Sequence, residues 1–124
     1  PWGEPAASSP FCIYDPIHET LWMPELERGR LNILAPWEGR IRKTLRLERG
    51  IRFIAADPEV RVLAVSNYLT GAVTFLSMDT FAVLGEVRIG HRARWITFTQ
   101  DHGRVLVPSS EGVFEIDLRR AGIL

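Results

Sequence analysis

The chain has one cysteine, one lysine, no net charge and no long apolar run, and each shortage removes a class of protein. Cys12 has no partner for an internal disulfide, and no second cysteine completes a metal or haem-attachment spacing. It stands between Phe11 and Ile13, where Ile54 fills the same place one repeat later, so it reads as a small buried hydrophobe and not a reactive thiol. Fifteen basic residues balance fifteen acidic ones, which excludes an overall field that would draw in nucleic acid or an anionic membrane. Only Lys43 among the basic residues is lysine, and an arginine bias alone identifies no ligand. No apolar stretch approaches the roughly 18 residues of a membrane span, so no direct span is expected. No charged-then-apolar leader opens the chain, which begins at Pro1 and leaves room for a removed upstream segment. Apolar spacing at three and four is nowhere sustained, so helix content is expected to be very low.

What the chain does have is a period of 42 residues. Phe11-Cys12-Ile13-Tyr14-Asp15-Pro16 returns as Phe53-Ile54-Ala55-Ala56-Asp57-Pro58, and more loosely from Trp95. Leu21, Gly29, Leu34, Arg46 and Arg52 recur without a gap as Leu63, Gly71, Leu76, Arg88 and Arg94. A repeat of this length implies stacked copies of one unit, each with an apolar face that only a neighbour covers. Within each unit the pattern alternates with a period of two: Ile41, Leu45 and Leu47 oppose Arg40, Arg42, Thr44 and Arg46, and Phe114, Ile116 and Leu118 oppose Glu115 and Asp117. Asp15-Pro16, Asp57-Pro58, Gly29 and Gly71 punctuate the units as sharp reversals, with the two aspartates accepting local backbone hydrogen bonds.

These readings predict an all-β fold of antiparallel four-stranded β-propeller blades. Residues 1–10 form a proline-rich arm or linker, 11–52 blade one, 53–94 blade two and 95–124 an incomplete blade three. Aligning Gly112 on Gly71 places Leu124 near the beginning of the fourth strand, so the last blade is expected to lack its outer strand and to present an open edge. Prolines at 1, 5 and 10 make the arm a poor strand donor. Three blades do not close a ring of about four to eight. The expected completions are missing blades of the same polypeptide, other protein subunits, or a second copy giving a six-bladed homodimer.

The quoted pieces carry a family resemblance. Val62-Leu63-Ala64-Val65-Ser66-Asn67, Gly71-Ala72-Val73-Thr74-Phe75-Leu76, Val87-Arg88-Ile89-Gly90 and Arg94-Trp95-Ile96-Thr97-Phe98 resemble the second strand, third strand, fourth strand and return of the YVTN-type β-propeller repeat, a WD40-like family. The likeness covers residues 11–124 and is strongest over 53–118; blade one departs from it at Pro24-Glu25-Leu26-Glu27-Arg28. It implies architecture more than activity, and it favours an extracytoplasmic location.

No catalytic set emerges. His18, His91 and His102 lie in separate turns without metal-ligand spacing and read as solvated turn residues; Ser109-Ser110-Glu111-Gly112 is a turn and not a nucleophile elbow. No cofactor or metal is therefore expected. The candidate partner or anion contacts are Arg49, Arg52, His91, Arg92 and Arg94, on the two connections that lead from one blade to the next. Arg52 and Arg94 are open to a second reading as the repeat's own structural arginines. Trp37 in a turn and Trp2 in the arm are candidate anchors, whereas Trp95, in the repeat position of Phe11 and Phe53, is expected in the core between blades. Two function classes follow: a non-enzymatic interaction or structural module, being a partial propeller in a larger protein or multi-subunit assembly, and a portion of a propeller enzyme or ligand-binding protein, lactonase-like or cofactor-bearing, whose active residues lie elsewhere.

Overall fold

The strands fall where the alternating segments and turn residues require them. A computed structural model describes residues 11–90 and 92–124, and its described part is all-β. Blade one holds β1 (Ile13–Asp15), β2 (Thr20–Glu25), β3 (Arg30–Ala35) and β4 (Arg40–Arg46); blade two holds β5 (Ile51–Asp57), β6 (Val62–Asn67), β7 (Ala72–Ser77) and β8 (Val83–Arg88). Blade three holds β9 (Thr97–Phe98), β10 (Arg104–Ser109) and β11 (Gly112–Asp117). Each sheet is antiparallel with strands in sequence order, so short reversals suffice to connect neighbours.

The repeat extends to irregularities. The β3–β4 pairing slips between Ile33 and Leu34, and the β7–β8 pairing slips between Phe75 and Leu76, one full period later. A bulge at the same place in both blades bends each outer strand alike.

Blade two lies between the other two, and its composition shows why. Every residue of β6 is buried, as is nearly every residue of β7, because both faces are covered. Successive side chains point to opposite faces, so Leu63, Val65 and Leu76 join Ile13, Trp22, Leu31 and Ile33 of blade one. Val62, Ala64, Val73 and Phe75 join Ile96, Val105, Val107, Ile116 and Leu118 of blade three. The core is thus two apolar layers between three sheets. Trp22 is fully buried in the first layer, and truncating a side chain of that size to alanine costs about 3–5 kcal/mol.

Among the described residues blade three has three strands. Past β11, Ile123 N–H donates to the Leu118 carbonyl at 2.8 Å, and buried Ile123 is packed into the layer against blade two. Among the described residues no strand pairs with the second edge of β11. Between that edge and β8 runs a groove of about 590 Å³, lined by Val87 and Ile89 on one side and Phe114 and Ile116 on the other. In blades one and two the corresponding place beside β3 and β7 is filled by β4 and β8.

Candidate functional site

Antiparallel order places the β4–β5 and β8–β9 connections at the same sheet end as the β2–β3, β6–β7 and β10–β11 turns. The first connection is tied down on both sides: Leu47 N–H donates to the Gly29 carbonyl at 2.6 Å and Gly50 N–H to the Leu26 carbonyl at 2.9 Å. From blade two, the Asn67 side-chain amide donates to the Arg49 carbonyl at 2.7 Å, while its oxygen accepts the N–H groups of Leu69 and Thr70 at 2.9 and 3.0 Å. Asn67 therefore caps its own turn and clamps the preceding connection. In blade three Ser109 stands at the same repeat position and accepts the Glu111 N–H at 3.1 Å.

Gly71 makes the second clamp possible. With φ at +75° its carbonyl accepts the Ile89 N–H at 2.9 Å, and a Cβ there would overlap the Gly90 carbonyl oxygen. Farther on, the Arg94 carbonyl accepts the Ser66 hydroxyl at 2.8 Å and the Arg94 N–H donates to the Pro108 carbonyl at 3.0 Å.

On this scaffold Ile51 and Ala93 point inward and are buried, so the neighbouring Arg52 and Arg94 side chains point out. Arg49, Arg52, Arg92 and Arg94 are all exposed at one end of adjacent blades, and among the described residues none of them forms an ion pair with a carboxylate. The Arg52 guanidinium lies 5.3 Å from the centre of the Phe53 ring and 5.9 Å from that of Tyr68, an arrangement that orients a cation without neutralising it. His91 and Trp2 lie outside the described residues. Trp37 is 68% exposed but belongs to the β3–β4 turn, at the opposite sheet end from the arginines, so the structure does not join it to them.

Trp95 departs from expectation. It meets Phe53 edge to face at 6.4 Å, and Phe53 meets Phe11 at 5.7 Å, so the three equivalent positions form a row across the blades. Phe53, in the middle, is 7% exposed, whereas Trp95 is 58% exposed. A position that packs between blades is buried only where both neighbouring blades are in place.

The aspartates of the Asp-Pro turns do more than cap turns. Asp15, fully buried, accepts the Ile17 N–H at 3.0 Å and also a two-pronged contact from Arg61 of the next blade at 2.9 and 2.7 Å. Burial alone would raise the Asp15 carboxyl, but the Arg61 guanidinium and the Ile17 N–H outweigh it and hold it below its ordinary value. Arg61 also bonds Asp79, which pairs in turn with His18 at 3.1 Å. One interface later, Asp57 accepts the Glu59 N–H at 3.0 Å and meets His102 of blade three at 2.6 Å. His102 is therefore not a solvated turn residue, because both of its ring nitrogens face carboxylates. Asn67, Arg61 and His102 were missed from sequence. Asn67 has no counterpart at Glu25, and His102 sits one position out of phase with Arg61, so superposing the repeats does not align them.

Among the described residues no group of three or more His, Cys, Asp or Glu side chains is placed to hold a metal ion. No protein-family model and no curated protein sequence matches the chain. Solved structures do. The chain superposes on Kuenenia stuttgartiensis hydrazine synthase with a TM-score of 0.79 at 16% identity, covering 90% of this chain and 33% of that one. It superposes on the dihydro-heme d1 dehydrogenase NirN, solved in complex with DHE, with a TM-score of 0.72 at 20% identity, covering 94% and 25%. A third match is the Myceliophteria thermophila Cps50 (Swd1) β-propeller domain, with a TM-score of 0.70 at 14% identity, covering 89% and 36%. The fold is that of β-propeller blades. The chain spans 33%, 25% and 36% of these three neighbours.

Proposed function

We propose that this chain is a non-enzymatic protein-interaction or structural module, an arc of YVTN-type blades that forms part of a larger propeller together with further blades or partner subunits. The observation that carries this reading is the second edge of β11. Among the described residues it is unpaired and lies beside a groove of about 590 Å³ lined by Val87, Ile89, Phe114 and Ile116 together with Arg88, Glu115, Asp117 and Arg120, and an open edge of this kind pairs readily with another strand. The exposed Trp95 at the end of the aromatic row is a second surface that a neighbouring blade would cover. The arginines of the two connections serve as contacts for carboxylate or phosphate groups of a partner.

The test uses a peptide with the sequence of β8, Val83–Arg88, which occupies the equivalent place in blade two. Added in excess to the chain, it is expected to slow amide exchange in β11 and to leave β2 and β3 unchanged. Val113, 70% exposed on β11, is the control position: Val113→Lys places a charge on the edge and is expected to abolish the protection while shifting stability by less than about 0.5 kcal/mol. Exchange in β11 that stays the same with and without peptide would count against an open strand site. The competing reading, a portion of a propeller enzyme or ligand binder, is favoured instead if further blades joined to this chain bring a cofactor or catalytic set.

A further inference from the structure

The two blade junctions carry the same latch built from different cations. In each, the aspartate that ends the first strand of one blade receives a side chain from the first turn of the next blade: Arg61 on buried Asp15, His102 on buried Asp57. Both cationic residues hold left-handed backbone, with φ of +60° and +61°, which aims them back across the junction. Arginine stays charged at every ordinary pH, and histidine does not.

The geometry at His102 suits the charged ring better than the neutral one. Nδ1 lies 2.6 Å from Asp57 Oδ2 and Nε2 lies 2.5 Å from Glu59 Oε2. A neutral imidazole has an N–H on one nitrogen only, so one of the two carboxylates would then face a lone pair. We propose that His102 makes the junction between blades two and three pH-sensitive: the imidazolium clamps Asp57 and Glu59, and loss of its proton loosens blade three while the Arg61–Asp15 junction holds.

The groups facing the ring agree in sign. Blade two presents Asp57 from the end of β5 and Glu59 from the following turn, and the ring's own turn presents Asp101, which is paired with Arg104. The Asp57 hydrogen bond, with the charges of Asp57, Glu59 and Asp101, raises His102 above the usual histidine value against a smaller opposing effect of burial. For a folded-state value that is raised, the stabilisation is complete below the ordinary histidine pKa of about 6.5 and is lost as pH climbs through the raised value. The loosening is therefore alkaline.

Amide exchange on the whole chain at about pH 5.5 and pH 8.5, each rate divided by the intrinsic rate at that pH, reads the junctions separately. Protection of Val105, Val107 and Ile116 in blade three is expected to fall roughly three- to fivefold at the higher pH, the size of a half-exposed ion pair, with Leu31 and Ile33 in blade one unchanged. His102→Arg converts the second latch to the chemistry of the first and is expected to remove the pH dependence, whereas His18→Gln is expected to keep it. Blade-three protection that is equal at both pH values in the unmodified chain, or pH dependence that persists in His102→Arg, would overturn the proposal. Should His102→Arg not fold, the imidazole proton resonances decide: a His102 ring titrating above an unstructured histidine, and returning to it in Asp57→Asn, supports the clamp, while a ring titrating at or below that value refutes it.

Discussion

At the scale of the residue, the buried pair Asp15–Arg61 is the largest single commitment of charge. Asp15 is fully buried and Arg61 partly so, and removing one partner of such a pair leaves the other uncompensated. Asp15→Asn is expected to cost about 3 kcal/mol at neutral pH, read as a lower urea midpoint. Because Asp15 is held below its ordinary value, its contribution is complete above the unfolded carboxylate pKa of about 4 and is lost as pH falls through the folded value. The gap between the unmodified chain and Asp15→Asn should therefore shrink in acid. The aspartates themselves were legible as repeated Asp-Pro turns, and so were their local backbone bonds. Their partners were not, because a salt bridge over 46 positions depends on how two sheets are stacked, and no local spacing records that.

At the scale of the element, legibility was high wherever alternation met a turn residue. The strands of blades one and two take up the alternating segments and stop at the repeated reversals, since a half-buried strand must alternate and Gly or Pro must end it. The connections were harder. Their exposed arginines were visible, but the clamps that present them, Asn67 and Gly71, work through backbone carbonyls that leave no side-chain pattern. With Arg49 and Arg92 exposed on successive connections, the double variant Arg49→Ala, Arg92→Ala is expected to weaken binding of a hexaglutamate peptide about tenfold at low salt. Calorimetry at two salt concentrations checks this: the effect should vanish near 0.5 M salt, where the Debye length is only about 4 Å. Binding that is unchanged and salt-independent would leave Arg52 and Arg94 as structural arginines.

At the scale of the molecule, burial depends on place in the arc. Phe11, Phe53 and Trp95 are equivalent in the repeat, yet Phe53 is buried while Phe11 and Trp95 are exposed. Phe53→Ala is expected to cost about 3 kcal/mol and Trp95→Ala less than about 1 kcal/mol, both read from urea unfolding of the isolated chain. Binding of a neighbouring blade over Trp95 would reverse that order, and Trp95 emission would shift to the blue. Within blade two, β6 and nearly all of β7 are buried, whereas the outer strand β8 has no buried residue.

The amino-acid sequence by itself determined the blade: a 42-residue repeat, strands set by period-two alternation, and reversals set by Asp-Pro and glycine. These are local or periodic properties, and a chain carries them wherever it is placed. Only the tertiary structure decided what joins one blade to the next. Stacking brought Arg61 to Asp15 and His102 to Asp57, and left Trp95 half open. Those outcomes rest on distances between sheets, and a repeat unit says nothing of its neighbour until the two are packed together.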